Sequence, residues 1–273
     1  ELMRERTPNN VEVLVRIASV LVEQGQNEKA QPLFDQCVAL QPAFEPTYYY
    51  MGRMNERADK LKIASDNYRR ALLLDPSHTD ARFRFAKIVG ASKKTSDVKE
   101  AIKHLSYIVT NIQNKKAKAS DIAGLVFLER GQLYFRMKLF RKALADFEQA
   151  ISLDPTNIDT LVRYGQVLIT EDKLDEARVY LTEAIAKNER FYEAYFHLGR
   201  IFAMRKKTRA AQEYLEISLK GDTSKYPEVH KMLGLMYRDR GLKPLARREL
   251  KKYLLYVPKG YDKPEIEALL RQI

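Results

Sequence analysis

The sequence predicts an all-α chain, an α-solenoid built from stacked helix-turn-helix units, on three observations. Between Phe127 and Pro155 apolar residues recur at helical spacing, the pattern breaks near Lys138 to Phe140, and Asp154-Pro155 closes it. Gly131, Ala143 and Ala150 are small where two antiparallel helices must approach closely, and Phe127, Tyr134 and Phe147 are large enough to fill the seam between them. Pro8, Pro42 and Pro76 follow one another at intervals of 34 residues, so the unit repeats.

Taken in order, residues 1–10 read as the end of a preceding second helix with its closing proline. With no methionine at Glu1, the chain is expected to be a piece of a longer protein. Unit one, 11–44, places Leu14, Ile17, Ala18, Leu21, Ala30, Phe34, Cys37 and Pro42 in the recurring order of large, small, aromatic and proline. Unit two, 45–78, repeats it with Tyr48, Met51, Gly52, Ala64, Tyr68, Ala71 and Pro76. Unit three, 79–123, opens with Phe85, Ala86 and Val89 but reaches Ala101, Leu105 and Ile108 three residues late, after a polar turn ending in an expected capping box of Asp97 and Glu100. A second delay at 112–123 is expected to extend the neighbouring helices, with Ser120 or Asp121 as a cap, or to be a linker. Unit four, 124–157, contains the opening stretch and reads as a restart, so the array is expected in two blocks of about three and four units. Units five, six and seven, 158–191, 192–226 and 227–260, carry Tyr164-Gly165, Leu198-Gly199 and Leu233-Gly234 at the same phase. Residues 261–273 form a capping helix whose Ile266, Leu269, Leu270 and Ile273 share a face, with Asp262 and Glu265 at its start.

Seven such units resemble the tetratricopeptide repeat, a 34-residue helix-turn-helix. No tryptophan stands at the first signature position, which holds Leu14, Tyr48, Arg82, Phe127, Leu161, Tyr195 and His230; Arg82 and His230 fit least. The resemblance implies a right-handed superhelix, a concave groove lined by the first helices, and a non-catalytic scaffold or adaptor binding protein segments.

An apolar share of 45% and a charged share of 31% suit a folded chain, and no apolar run is long enough to cross a bilayer. The lone Cys37 excludes an internal disulfide and leaves the compartment open, leaning towards the cytoplasm. The net charge of +12 points to acidic protein segments, nucleic acid or an anionic membrane surface, or simply to a self-repelling surface. The excess is concentrated: Arg82–Lys118 holds ten cations against two acids, and Arg200–Lys252 fifteen against six.

No nucleophile elbow, phosphate loop, dinucleotide fingerprint or calcium loop is present, so neither catalysis nor a cofactor is expected. His78, His104, His197 and His230 lie in different units without metal-ligand spacing and are expected on the surface or in the groove.

By the resemblance, the residue after each first signature position faces the groove: Val15, Tyr49, Phe83, Leu128, Val162, Phe196 and Lys231. One turn later stand Ser19, Arg53, Lys87, Gln132, Gln166, Arg200 and Leu235. The candidate partner-binding residues are therefore Tyr49, Tyr50, Arg53, Arg57, Phe83, Arg84, Lys87, Gln132, Phe196 and Arg200. Tyr49, Phe83 and Phe196 are expected to anchor, and Arg53, Arg84, Lys87 and Arg200 to read the charge of an acidic or amphipathic segment. A nucleic-acid-binding repeat is the alternative.

Overall fold

The computed structural model describes residues 9–114 and 122–273, which form fifteen α-helices and, among the described residues, no strand. Two compact units result, Glu1–Met137 and Lys138–Ile273.

In the first unit α1 (Val11–Glu23) pairs with α2 (Asn27–Leu40), α3 (Glu45–Arg57) with α4 (Leu61–Leu74), and α5 (Thr79–Gly90) with α6 (Thr95–Gln113); α7 (Ala123–Arg136) packs on α5 and α6. That packing puts the division one helix beyond the restart expected near Gly124. The second unit holds α8 (Phe140–Leu153), the pairs α9 (Ile158–Thr170) with α10 (Leu174–Lys187), α11 (Tyr192–Met204) with α12 (Thr208–Ser218), and α13 (Glu228–Asp239) with α14 (Lys243–Tyr256), and finally α15 (Lys263–Gln272).

Local chemistry sets these elements. Asn10 and Asn157 start α1 and α9 by accepting from Val13 and Thr160 backbone N–H groups at 3.1 and 3.0 Å, and His78 Nδ1 starts α5 by accepting from Ala81 at 3.2 Å. A single left-handed residue, with φ between 55° and 76°, reverses the turn inside five of the six pairs, at Gly25, Asp59, Asp172, Lys206 and Gly241, and Lys138 takes the same conformation between α7 and α8. Gly25 to Asp59, Lys138 to Asp172 and Asp172 to Lys206 are each 34 residues, the repeat interval, and Lys206 to Gly241 is 35. Close helix approach explains the signature glycines, since a Cβ at Gly199 or Gly234 would lie 2.7 Å from Leu215 or Leu250.

The third pair departs from this pattern. Its turn has no left-handed residue; instead Arg136 of α7 donates to the carbonyls of Gly90 and, at 2.6 Å, Ser92, holding the exposed C-terminal end of α5. The expected capping box of Asp97 and Glu100 does not form. The helix starts two residues earlier, at Thr95, and Asp97 instead accepts from Ser96 Oγ at 3.0 Å. α6 continues helically to Gln113, while the expected caps Ser120 and Asp121, like residues 1–8, lie outside the described residues. At α15 the Asp262 carboxylate makes no cap bond, being held by Lys231 Nζ at 2.6 Å and Tyr253 hydroxyl at 2.9 Å.

Candidate functional site

One face of the first helices was expected to be an apolar stripe open to a partner, and the structure corrects this. Val15, Tyr49, Phe83, Leu128, Val162 and Phe196 are all buried. A residue one position past the pairing seam is turned by about 100°, and in a stack that direction meets the next repeat. Tyr49 packs with Tyr68, Ala81 and Phe85, and Phe196 stacks on Tyr226 with ring centres 5.2 Å apart. Tyr49 and Phe196 thus pack against the following repeat, and Phe83 is buried as well, so none of the three is open on the face where anchors were expected.

The expected charge readers are also engaged. Arg53 and Arg57 share Glu23 at 2.7 and 2.8 Å. Arg84 bridges Asp80 at 2.9 Å and Glu56 at 3.0 Å, and Lys87 lies 3.8 Å from Glu129. The Tyr49 hydroxyl donates to Asp80 and that of Tyr68 to Glu56 at 2.5 Å. Burial, then the Asp80 contact, pushes the Tyr49 phenol up to about 12; the Tyr49 and Arg84 bonds overcome burial to hold Asp80 below the usual carboxylate range. The row of cations read from sequence is thus a ladder of ion pairs joining successive repeats, and its net demand for an acidic partner is small.

Two hollows of the first unit lie among these helices. Half-exposed Tyr50 lines a cavity of about 990 Å³ with Arg16, Ile17, Val20, Phe44 and Pro46. A second, of about 410 Å³, has Leu61, Ile88, Leu105 and Leu133 in its walls and Glu56, Lys87, Glu129, Gln132 and Arg136 at its polar edge. The sequence reading included Tyr50, Lys87 and Gln132 but missed Leu61, Ile88 and Leu133. Their signal was available: Leu61 opens α4 from an exposed position, where a buried seam does not require it.

In the second unit Arg163 makes a bidentate pair with Glu193 at 2.7 and 2.9 Å. Burial alone would raise the Glu193 carboxyl, but the neighbouring His197, whose Nε2 lies 3.7 Å away, and the Arg163 pair pull it down to about 2. Half-buried Arg200 lies over the Phe196 ring, 5.8 Å from its centre, and meets His197 Nδ1 at 3.3 Å. It is the one expected reader without an ion-paired carboxylate among the described residues.

The histidine expectation needs correction too. His197 and His230 are interior, 2% and 1% exposed. His230 Nδ1 lies 2.6 Å from Glu249 and Nε2 2.8 Å from Thr223 Oγ1; because a carboxylate only accepts, the proton sits on Nδ1. Arg248 adds a 2.7 Å bond to the other Glu249 oxygen, and these bonds lower the Glu249 carboxyl against the rise that burial alone would cause. No cluster of three or more potential metal ligands occurs among the described residues, and none of their helices is long and apolar enough to cross a membrane.

Two family models described as tetratricopeptide repeat match the chain, at residues 11–44 and 125–157. Over 210 residues it is 25% identical to the human protein O-mannosyl-transferase TMTC3, an alignment spanning 77% of this chain and 22% of that protein. Anaphase-promoting complex subunit 3 of Schizosaccharomyces pombe is also 25% identical, over 77% of this chain and 30% of that one. The chain therefore spans less than a third of either relative. Among solved structures, the Cut9-Hcn1 hetero-tetramer of the APC/C superposes with a TM-score of 0.69 at 18% identity, over 98% of this chain and 50% of that chain.

Proposed function

The chain belongs to the tetratricopeptide repeat family, and from that premise we propose that it is a non-catalytic adaptor whose first unit holds an amphipathic segment of a partner protein. The observation that carries this reading is the 410 Å³ hollow with aliphatic walls and a mixed polar edge. Because Glu56 and Glu129 stand beside Lys87 and Arg136, the edge matches a segment bearing both signs of charge better than an acidic one. An apolar side chain would enter between Ile88 and Leu133. A second would reach the hollow beside Tyr50, with the intervening stretch crossing the ladder of Arg53, Glu56 and Arg84.

The test is affinity for a partner identified by capture on the intact chain. Tyr50→Ala with Lys87→Glu and Gln132→Arg changes only partly exposed positions, so the folded triple variant is expected to lose about tenfold or more in Kd, measured calorimetrically. Unchanged affinity in a variant with an unchanged melting temperature contradicts the assignment.

A second reading makes these repeats the accessory part of a larger enzyme. It is favoured by one relative that is named a transferase and is matched over only 22% of its length. The full reading frame distinguishes the two.

A further inference from the structure

The solvent face of α14 differs from those of α4, α10 and α12. On α4, Arg69 is matched by Asp66; on α10, Arg178 by Asp175; on α12, Arg209 by Glu213. α14 instead exposes Lys243, Arg247, Arg248, Lys251 and Lys252, and its single acid, Glu249, is turned inward at 0% exposure and consumed by His230. Of the five cations only Arg248 has an ion pair among the described residues, with that same buried carboxylate.

Helical phase organises them. Lys243, Arg247, Lys251 and Leu255 follow one another at four-residue intervals along one row, with Arg248 and Lys252 on the adjacent row. Leu255, at 74% exposure, thus stands within the cationic arc rather than at its margin. Tyr256, the last residue of the helix, is 43% exposed, and beyond it Tyr261 is 95% exposed, with Lys259 between them also exposed.

We propose that this face is a docking surface for an anionic lipid bilayer, with α14 lying on the membrane plane. The cations would meet headgroup phosphates and carboxylates, and Leu255 and Tyr261 would enter the boundary beneath them. Charge complementarity selects an anionic partner, and the protruding side chains select its class. Leucine has no ring face to stack on a base and so adds nothing to a nucleic-acid contact, whereas it contributes directly to interfacial insertion. α14 is about 21 Å long, so several headgroups fit along it at once. The surface is separate from the hollows of the first unit, and the proposal does not rest on them.

Co-sedimentation of the full chain with vesicles decides it. With phosphatidylcholine vesicles carrying about 30% phosphatidylserine, the bound fraction is expected to exceed that on pure phosphatidylcholine by about tenfold or more, and to fall as salt rises. Lys251→Glu with Lys252→Glu is expected to abolish at least about nine-tenths of that binding. Leu255→Ser is expected to lower it severalfold without changing its salt dependence. Lys99→Glu with Lys103→Glu on α6 makes the same change in net charge at exposed positions and is expected to retain binding. Should the α14 charge reversal impair folding by circular dichroism, Arg247→Gln with Lys251→Gln replaces it. The proposal is overturned by absent binding to anionic vesicles at low salt, by equal loss in the α6 control, or by Leu255-independent binding of oligonucleotides through the same lysines.

Discussion

Repeats three and seven both lack the large apolar residue of the first signature position, and they replace it in opposite ways. In repeat three Arg82 keeps one side towards water. Its guanidinium lies 4.0 Å from the Tyr107 ring centre, meets His104 Nδ1 at 2.9 Å and donates to the Pro76 carbonyl. In repeat seven His230 is sealed, with Glu249 on one nitrogen and Thr223 on the other. One substitution is a half-buried side chain that still reaches the edge; the other ties α13, α14 and the short helical turn Thr223–Lys225 to a single register, because no member of the trio can be left unpartnered inside. A repeat array can thus lose its signature at an edge cheaply, and in its interior only with a matching change elsewhere.

The sharpest way to break that contrast is to remove Glu249. Glu249→Ala leaves a buried imidazole without its acceptor, and urea unfolding is expected to show a loss of about 3–5 kcal/mol. Joint replacement by His230→Leu and Glu249→Leu is expected to recover most of it, since an apolar pair needs no partners. Arg82→Met in repeat three should move stability by less than about 1 kcal/mol, as the aliphatic stem still covers Tyr107.

A subtler difference lies in pH dependence. Burial first, then the charge of Arg82, pulls His104 down to about 4. The unfolded chain therefore binds a proton that the folded one refuses. His104 contributes stability that is present above its unfolded value near 6.5 and is lost as pH falls from there towards 4. Arg82→Met should raise the His104 value, read by proton NMR titration, and shrink that loss. An unmoved titration means the two side chains do not interact.

Most of the fold was legible because it is local. The proline interval, the glycine opposite a large residue in Gly199 and Leu215, and the turn near Lys138 each depend on neighbours within one unit. The site was less legible because it depends on how units stack. Whether Tyr49 faces solvent is set by the next repeat, not by its own helix, and Glu23 and Glu56, which engage Arg53 and Arg84, come from the preceding one. The partner of His230 is 19 residues away on another helix, yet one sign of it was readable. Glu249 is the lone acid of a basic helix and shares the core phase of Ala246 and Tyr253.

The apolar stripe along the first helices is buried core, and the hollows of the first unit are where we propose that a partner docks. Equilibrium urea unfolding of Phe83→Ala tests it most directly. As a buried aromatic, its loss is expected to cost about 3–5 kcal/mol and to lower the midpoint with little change in slope. A variant as stable as the parent would contradict the account and return Phe83 to the open groove.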